Sequence, residues 1–209
     1  MSEPKPTNGA TVVAADTPPS DGRRRRTHDS QRRIVDAMLS LVEQGHASPS
    51  AELVAERAAV GLRSVFRHFR DMDSLYREIT VILAARLDEI ARRPFTAIDW
   101  QGKLLEMVER RADAYERVAP FLAAGRANRH RSQLLRDGHA RFAALLRSIL
   151  LEHLPIEVAR DTALVDAIDL LLSPETWQRL RHDQGLDPGE AKAVLGRLLR
   201  GLDVRPPRL

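Results

Sequence analysis

The sequence predicts an all-α protein with an N-terminal helix-turn-helix unit, and three observations carry that expectation. Apolar residues recur at spacings of three and four from Ile34 to Leu202, the period of helices that each bury one face. Ser and Asp caps, Pro and Gly punctuate the chain where such helices would start and stop. No stretch alternates apolar with polar residues as a half-buried strand would, and no internal repeat is present.

Residues 1 to 22 hold Pro4, Pro6, Pro18, Pro19, Gly9 and Gly22 without a sustained apolar period, so a disordered tail is expected there. Arg23, Arg24, Arg25 and Arg26 follow, as either a solvated linker or an arm that lies along phosphates. The first helix is expected from Asp29 or Ser30, with Ile34, Ala37, Met38, Leu41 and Val42 on one face, ending at Gly45. Ser48-Pro49-Ser50 opens a second helix bearing Leu53, Val54 and Ala58, and a break at Ala59-Val60-Gly61 precedes a short third helix from Leu62 to Phe69. Two short helices joined by a three-residue turn form a helix-turn-helix. Asp71 or Asp73 then caps a fourth helix that carries Leu75, Ile79, Ile82, Leu83 and Leu87 and stops before Pro94.

The remainder reads as helices again. One is expected from about Trp100 to Val118, a short one from Pro120, and a long one from about Ser132 to Leu154, broken by Pro155. Residues 157 to 172 form another, and Ser173-Pro174 opens a turn or helix through Trp177 and Leu180. Asp187-Pro188-Gly189-Glu190 is a capping box with proline at the first helical position, the clearest helix start in the chain.

Composition narrows the function. A chain of 209 residues that is 43% hydrophobic and 30% charged suits one or two ordinary globular domains, without the long apolar runs of a membrane protein. Zero Cys excludes disulfides, thiol nucleophiles and thiolate zinc sites, and with no charged-then-apolar leader the cytoplasm is the default expectation. Gly-x-Gly-x-x-Gly, a phosphate-binding loop and His-Glu-x-x-His are all missing, so no catalytic residues, metal or cofactor are expected. Residues 21 to 77 hold 11 Lys or Arg against 8 acids, most of the formal +4, which makes this stretch the first place to look for a polyanion site. Arg63 and Arg67 lie one turn apart on the short third helix, and arginine bonds bidentately to guanine in the major groove. A second basic run, Arg126 to Arg147, has six Arg around apolar positions and reads as a solvated outer face or a second nucleic-acid surface.

The stretch Ala58-Ala59-Val60-Gly61-Leu62-Arg63-Ser64-Val65-Phe66-Arg67-His68-Phe69 resembles the helix-turn-helix of TetR (tetracycline-repressor) family regulators. The usual family form runs Ala-Gly-Val-Ser, variable residues, Thr, an aliphatic, Tyr, any residue, His and Phe. The likeness extends to Arg33-Ile34-Val35-Asp36-Ala37, Gly45, Ser50, Val54-Ala55 and Leu75, so it covers roughly residues 30 to 80. There are departures. Phe66 stands for Tyr, Met72 for a phosphate-contacting Lys, Gly61 for Ser and Ala59 for the turn Gly, and Gly61 is expected to take the positive φ of a shifted turn.

The resemblance implies a DNA-binding domain over residues 23 to 78 and a helical ligand-binding and dimerisation domain over 79 to 209. DNA contacts are expected from Ser50, Leu62, Arg63, Ser64, Arg67 and His68, with the arm Arg23 to Arg26 offsetting lost phosphate contacts. Tyr115, Phe121, His139 and Phe142 are expected around a small-molecule effector. The leucine stripe Leu195, Leu198 and Leu202, with Val165, Ile168 and Leu172, is expected at a homodimer interface, and a two-fold dimer requires double-stranded DNA with an inverted-repeat operator. The expected protein is a repressor released by its effector through a tilt of the fourth helix. Two other readings stay open: a DNA-binding regulator without an effector, and a helical interaction module with a vestigial helix-turn-helix.

Overall fold

The computed structural model describes residues 20–202, with side chains described from Arg25 onward, and every regular element among them is a helix. In order they are α1 (Ser20–Glu43), α2 (Ala51–Arg57), α3 (Leu62–His68), α4 (Met72–Ala91), α5 (Trp100–Asn128), α6 (Gln133–Leu151), α7 (Ile156–Ala159), α8 (Thr162–Leu171), α9 (Pro174–Gln178) and α10 (Pro188–Gly201). A π-helical turn, Arg179–Asp183, prolongs α9. The all-α class is as the periodicity requires.

The caps follow the sequence closely. Ser50, Asp71, Asp99, Ser132, Asp161, Ser173 and Asp187 each accept a backbone N–H of the following first turn, and Asp187 with Glu190 closes a full capping box. Three boundaries differ from expectation. α1 begins at Ser20 rather than Asp29 or Ser30: Pro18 and Pro19 stand just before it, and the Arg-rich stretch favours helix enough to carry Gly22. Residues 20 to 22 therefore belong to α1, and the rest of the expected tail lies outside the described residues. Pro120 does not open a new helix but sits inside α5, where it forgoes one backbone hydrogen bond while packing on both sides keeps the helix continuous. The segment 157 to 172 divides at Asp161, whose side chain accepts the Leu164 N–H at 3.0 Å and starts α8 afresh.

Two apolar cores result. The first gathers Ile34, Met38 and Leu41 of α1, Val54 of α2, Val65 of α3, and Leu75 and Ile79 of α4. Each such side chain contributes on the order of 1.5 to 3 kcal/mol by leaving water. The second packs Leu104, Met107 and Val108 of α5 against Leu150, Ile168, Leu172, Trp177 and Leu195. Helix α5 serves both, since its C-terminal end adds Ala124 and the half-buried Phe121 to the first core. Polar pins join the halves: Asn128 donates from Nδ2 to the Ala47 carbonyl at 2.7 Å, and Ser132 Oγ donates to Asp73 Oδ1 at 2.8 Å.

The second core also corrects the interface expectation. Val165, Ile168, Leu172 and Leu195 are buried within this chain, so they cannot face a second copy. Their stripe is apolar because the second core of the same chain covers it. Leu202 is half-buried against the same core, which leaves Leu198, 47% exposed, as the outward residue of the six.

The turn between α2 and α3 holds a further correction. Two helix ends carry the same Schellman motif, in which the fifth and sixth residues bond back to the end of the helix. After α1, Gly45 N–H meets Val42 O and His46 N–H meets Leu41 O, with Gly45 at φ +93°. After α2, Ala59 N–H meets Glu56 O and Val60 N–H meets Ala55 O, with Ala59 at φ +51°. Gly61 has φ −70° and serves as N-cap of α3, so the turn has not shifted and an alanine bears the left-handed conformation. Ala59→Gly removes a Cβ penalty, offset in part by a looser unfolded chain, and is expected to raise stability by about 1 kcal/mol. Urea titration checks this; an unchanged or lower midpoint refutes the strain at Ala59.

The α4–α5 connection is fastened by Glu106. Its carboxylate accepts the Thr96 hydroxyl at 2.6 Å and the backbone N–H groups of Thr96 and Ala97, with Arg110 alongside at 3.5 Å. The Thr96 hydroxyl first, and then the backbone N–H groups, hold its pKa down to about 2. A carboxyl depressed on folding stabilises above its ordinary pKa and loses that contribution as pH falls through the window from 4.5 towards 2. Acid unfolding of Glu106→Gln is expected to be flatter than wild type across that window; parallel curves would contradict the tether.

Candidate nucleic-acid interface

Helix α3 is short, and its rotation is set by Val65, which is 1% exposed in the first core. With side chains advancing about 100° per residue, burying Val65 turns Arg63 and Arg67 onto the opposite side, with Phe66 on the flank at about 100° and Leu62 beside it at about 60°. All four are exposed. Arg63 has no hydrogen bond or ion pair to any described residue, and Arg67 reaches the half-buried Ser64 hydroxyl at 3.4 Å. No acidic residue lies on α3. The nearest acids in sequence are committed elsewhere: Asp71 caps α4 and pairs with Arg70, and Asp73 accepts from Ser132.

Ser50 is exposed at the start of α2, where its Oγ accepts the Leu53 N–H at 3.3 Å and its hydroxyl hydrogen is shared with the Glu52 carboxylate. His68 is only half-exposed, and its Nε2 is buried with no partner among the described residues. Burial first, and then the neighbouring Arg67 charge, lower its pKa, so the ring is neutral at pH 7 and turns Nε2 away from an outside ligand. Arg57 is held against α1 by Ser40 and Gln44.

The four-arginine run is part of α1, not an arm before it. Arg25 and Arg26 are exposed, while the side chains of Arg23 and Arg24 lie outside the described residues. The second basic run is partly neutralised within the chain: Arg147 pairs with Asp166 at 2.7 Å and Asp169 at 3.4 Å, and Arg129 with Glu175 at 3.7 Å.

The residues expected around an effector do not converge. Tyr115 is buried, its hydroxyl donating to the Leu172 carbonyl at 2.8 Å, and burial pushes its pKa up. Beside it the buried Arg111 donates to the carbonyls of Leu172 at 3.1 Å and Leu146 at 2.7 Å. The cavity they border, with Trp177 and Leu195, measures about 10 Å³, room for one water. Phe142 packs on the second core, whereas Phe121 packs on the first, because α5 carries it past the domain junction. His139 is half-buried, with Nε2 at 3.9 Å from Glu175. A more open groove of about 360 Å³ lies between α5 and α10, but its Lys192 is already paired with Glu109 at 2.7 Å and Asp113 at 3.3 Å.

Sequence reading missed Phe66, whose outward setting follows from its place between inward Val65 and outward Arg67. It also missed the bonds from Asn128 to Ala47 and from Ser132 to Asp73, for which no local signal exists, since each reaches a residue far away in sequence. No family model matches the chain, and no curated protein matches it. No helix among the described residues is long and apolar enough to cross a membrane.

Proposed function

We propose that the chain is a DNA-binding transcriptional regulator of the TetR kind, with α3 as the helix that enters the major groove. One observation carries the reading: Leu62, Arg63, Phe66 and Arg67 form a single acid-free outward face on a short helix locked by Val65. A groove admits such a helix, and arginines one turn apart suit guanines on neighbouring base pairs. Ser50 stands at the start of the helix that would cross the backbone, and donating to a phosphate there requires its hydroxyl to leave Glu52. The protein then works in the compartment that holds the genome.

Control by a small molecule enters through α5. That helix carries Arg111 and Tyr115 in one core and Phe121, Ala124 and Asn128 at the other, so a ligand that shifts it also shifts the platform under α3. A coupling of about 1 to 3 kcal/mol would weaken DNA binding 5- to 150-fold. This gives a repressor released by its effector, acting as a homodimer on an inverted repeat whose half-sites lie about 34 to 36 Å apart. With most of the leucine stripe inside the core, the dimer face falls to the exposed Leu170 of α8 and Leu198 of α10, helices that touch each other.

Arg63→Ala or Arg67→Ala is expected to cost about 1 to 3 kcal/mol at the selected site and to spare non-specific binding, measured by gel shift. Wild-type affinity in both variants would refute the reading. Leu170→Asp combined with Leu198→Asp is expected to sediment as a monomer and to bind the inverted repeat poorly; a dimer of unchanged mass would place the interface elsewhere.

A further inference from the structure

Two large apolar side chains of α3 are left in water: Leu62 is 37% exposed and Phe66 48%. They stand four residues apart, one above the other on the helix, and form a strip directly beside Arg63 and Arg67. Resting on the reading above, we infer that this strip packs against thymine C5-methyl groups in the major groove, so that Phe66 and Leu62 determine sequence preference along with the two arginines. A thymine methyl is the apolar feature that base pairs display in that groove, and phenylalanine is among the side chains that contact it. Charge complementarity names the occupant: the strip is flanked by two cations, α3 carries no acid, and Asp71 and Asp73 are turned to other partners. A polyanion with methyl groups on its groove floor fits such a surface. Phe66 has no hydroxyl to give to a phosphate, so its contribution there is contact area alone. The preferred half-site is therefore guanine for Arg63 and Arg67 with thymine beside it.

The test begins with selection of duplexes from a random pool by the full chain, followed by affinity measurements on the enriched site with each thymine replaced in turn by uracil, which removes only the methyl. At one or two positions wild type is expected to lose about fourfold, the worth of one buried methyl group. At one of these positions Phe66→Ala is expected to bind the thymine and uracil duplexes equally, and Phe66→Leu to retain part of the discrimination. Phe66 is exposed, so both variants are expected to keep the wild-type circular dichroism and melting point. If wild type binds every uracil duplex as well as the parent while Arg63→Ala still loses the site, the methyl contact is wrong and the DNA-binding reading stands. If no sequence is enriched, both fall. A change in oligomeric state of Phe66→Ala without DNA would overturn the inference by assigning the strip to a second copy of the chain.

Discussion

The burial of Val65 is the constraint on which the rest of the molecule's outward chemistry depends. A helix of seven residues has little stability of its own, so α3 exists because α1 and α2 offer it a seat. Seating Val65 between them fixes the rotation, and Phe69 at the C-terminus fixes the exit into α4. A turn of one residue about the helix axis would carry Phe66 inward and Val65 to the flank, and Arg63 and Arg67 would swing together from the outward side towards the core. Ser64 N–H bonds back to the Gly61 carbonyl at 2.8 Å, which tightens the first turn where no side chain caps it. The turn before it is equally constrained, since the left-handed residue must fall at Ala59 for the two bonds of the motif to close.

Much of this was legible in the sequence because it is local. Caps act within three residues, so Ser50, Asp71, Ser132 and Asp187 announce their helices with no knowledge of the fold. The period of Ile34, Met38 and Leu41 likewise states which face of α1 is covered. Periodicity does not say what covers it. The stripe of α10 is as apolar as an interface would be, yet Leu195 meets α5 of its own chain, and only the three-dimensional arrangement distinguishes an internal partner from an external one. The candidate site divides in the same way: Arg63 and Arg67 could be read from spacing, whereas the inward turn of His68 Nε2 depends on residues packed around it.

Arg111 illustrates a different use of burial. Its guanidinium has no carboxylate at salt-bridge distance among the described residues; its donors go to carbonyls at the end of α8 and in α6. Tyr115 gives its hydroxyl to the same Leu172 carbonyl. That carbonyl lies at the C-terminal end of α8, where the helix dipole places partial negative charge, so the cation is met by backbone dipoles in place of a counter-ion. The arrangement clamps three helices at one point.

The course of α5 has a consequence for the order in which the molecule can be made. Phe121 and Ala124 complete a core whose other members lie between Ile34 and Leu83, and Asn128 ties down Ala47 in the loop ahead of α2. The unit formed by α1 to α4 is therefore not detachable: during synthesis it must wait for about forty residues beyond Leu83 to leave the ribosome before its last wall arrives. Until then, part of its apolar surface is open to other binders. A fragment ending after α4 would carry every group of the outward face of α3 and lack the support beneath it.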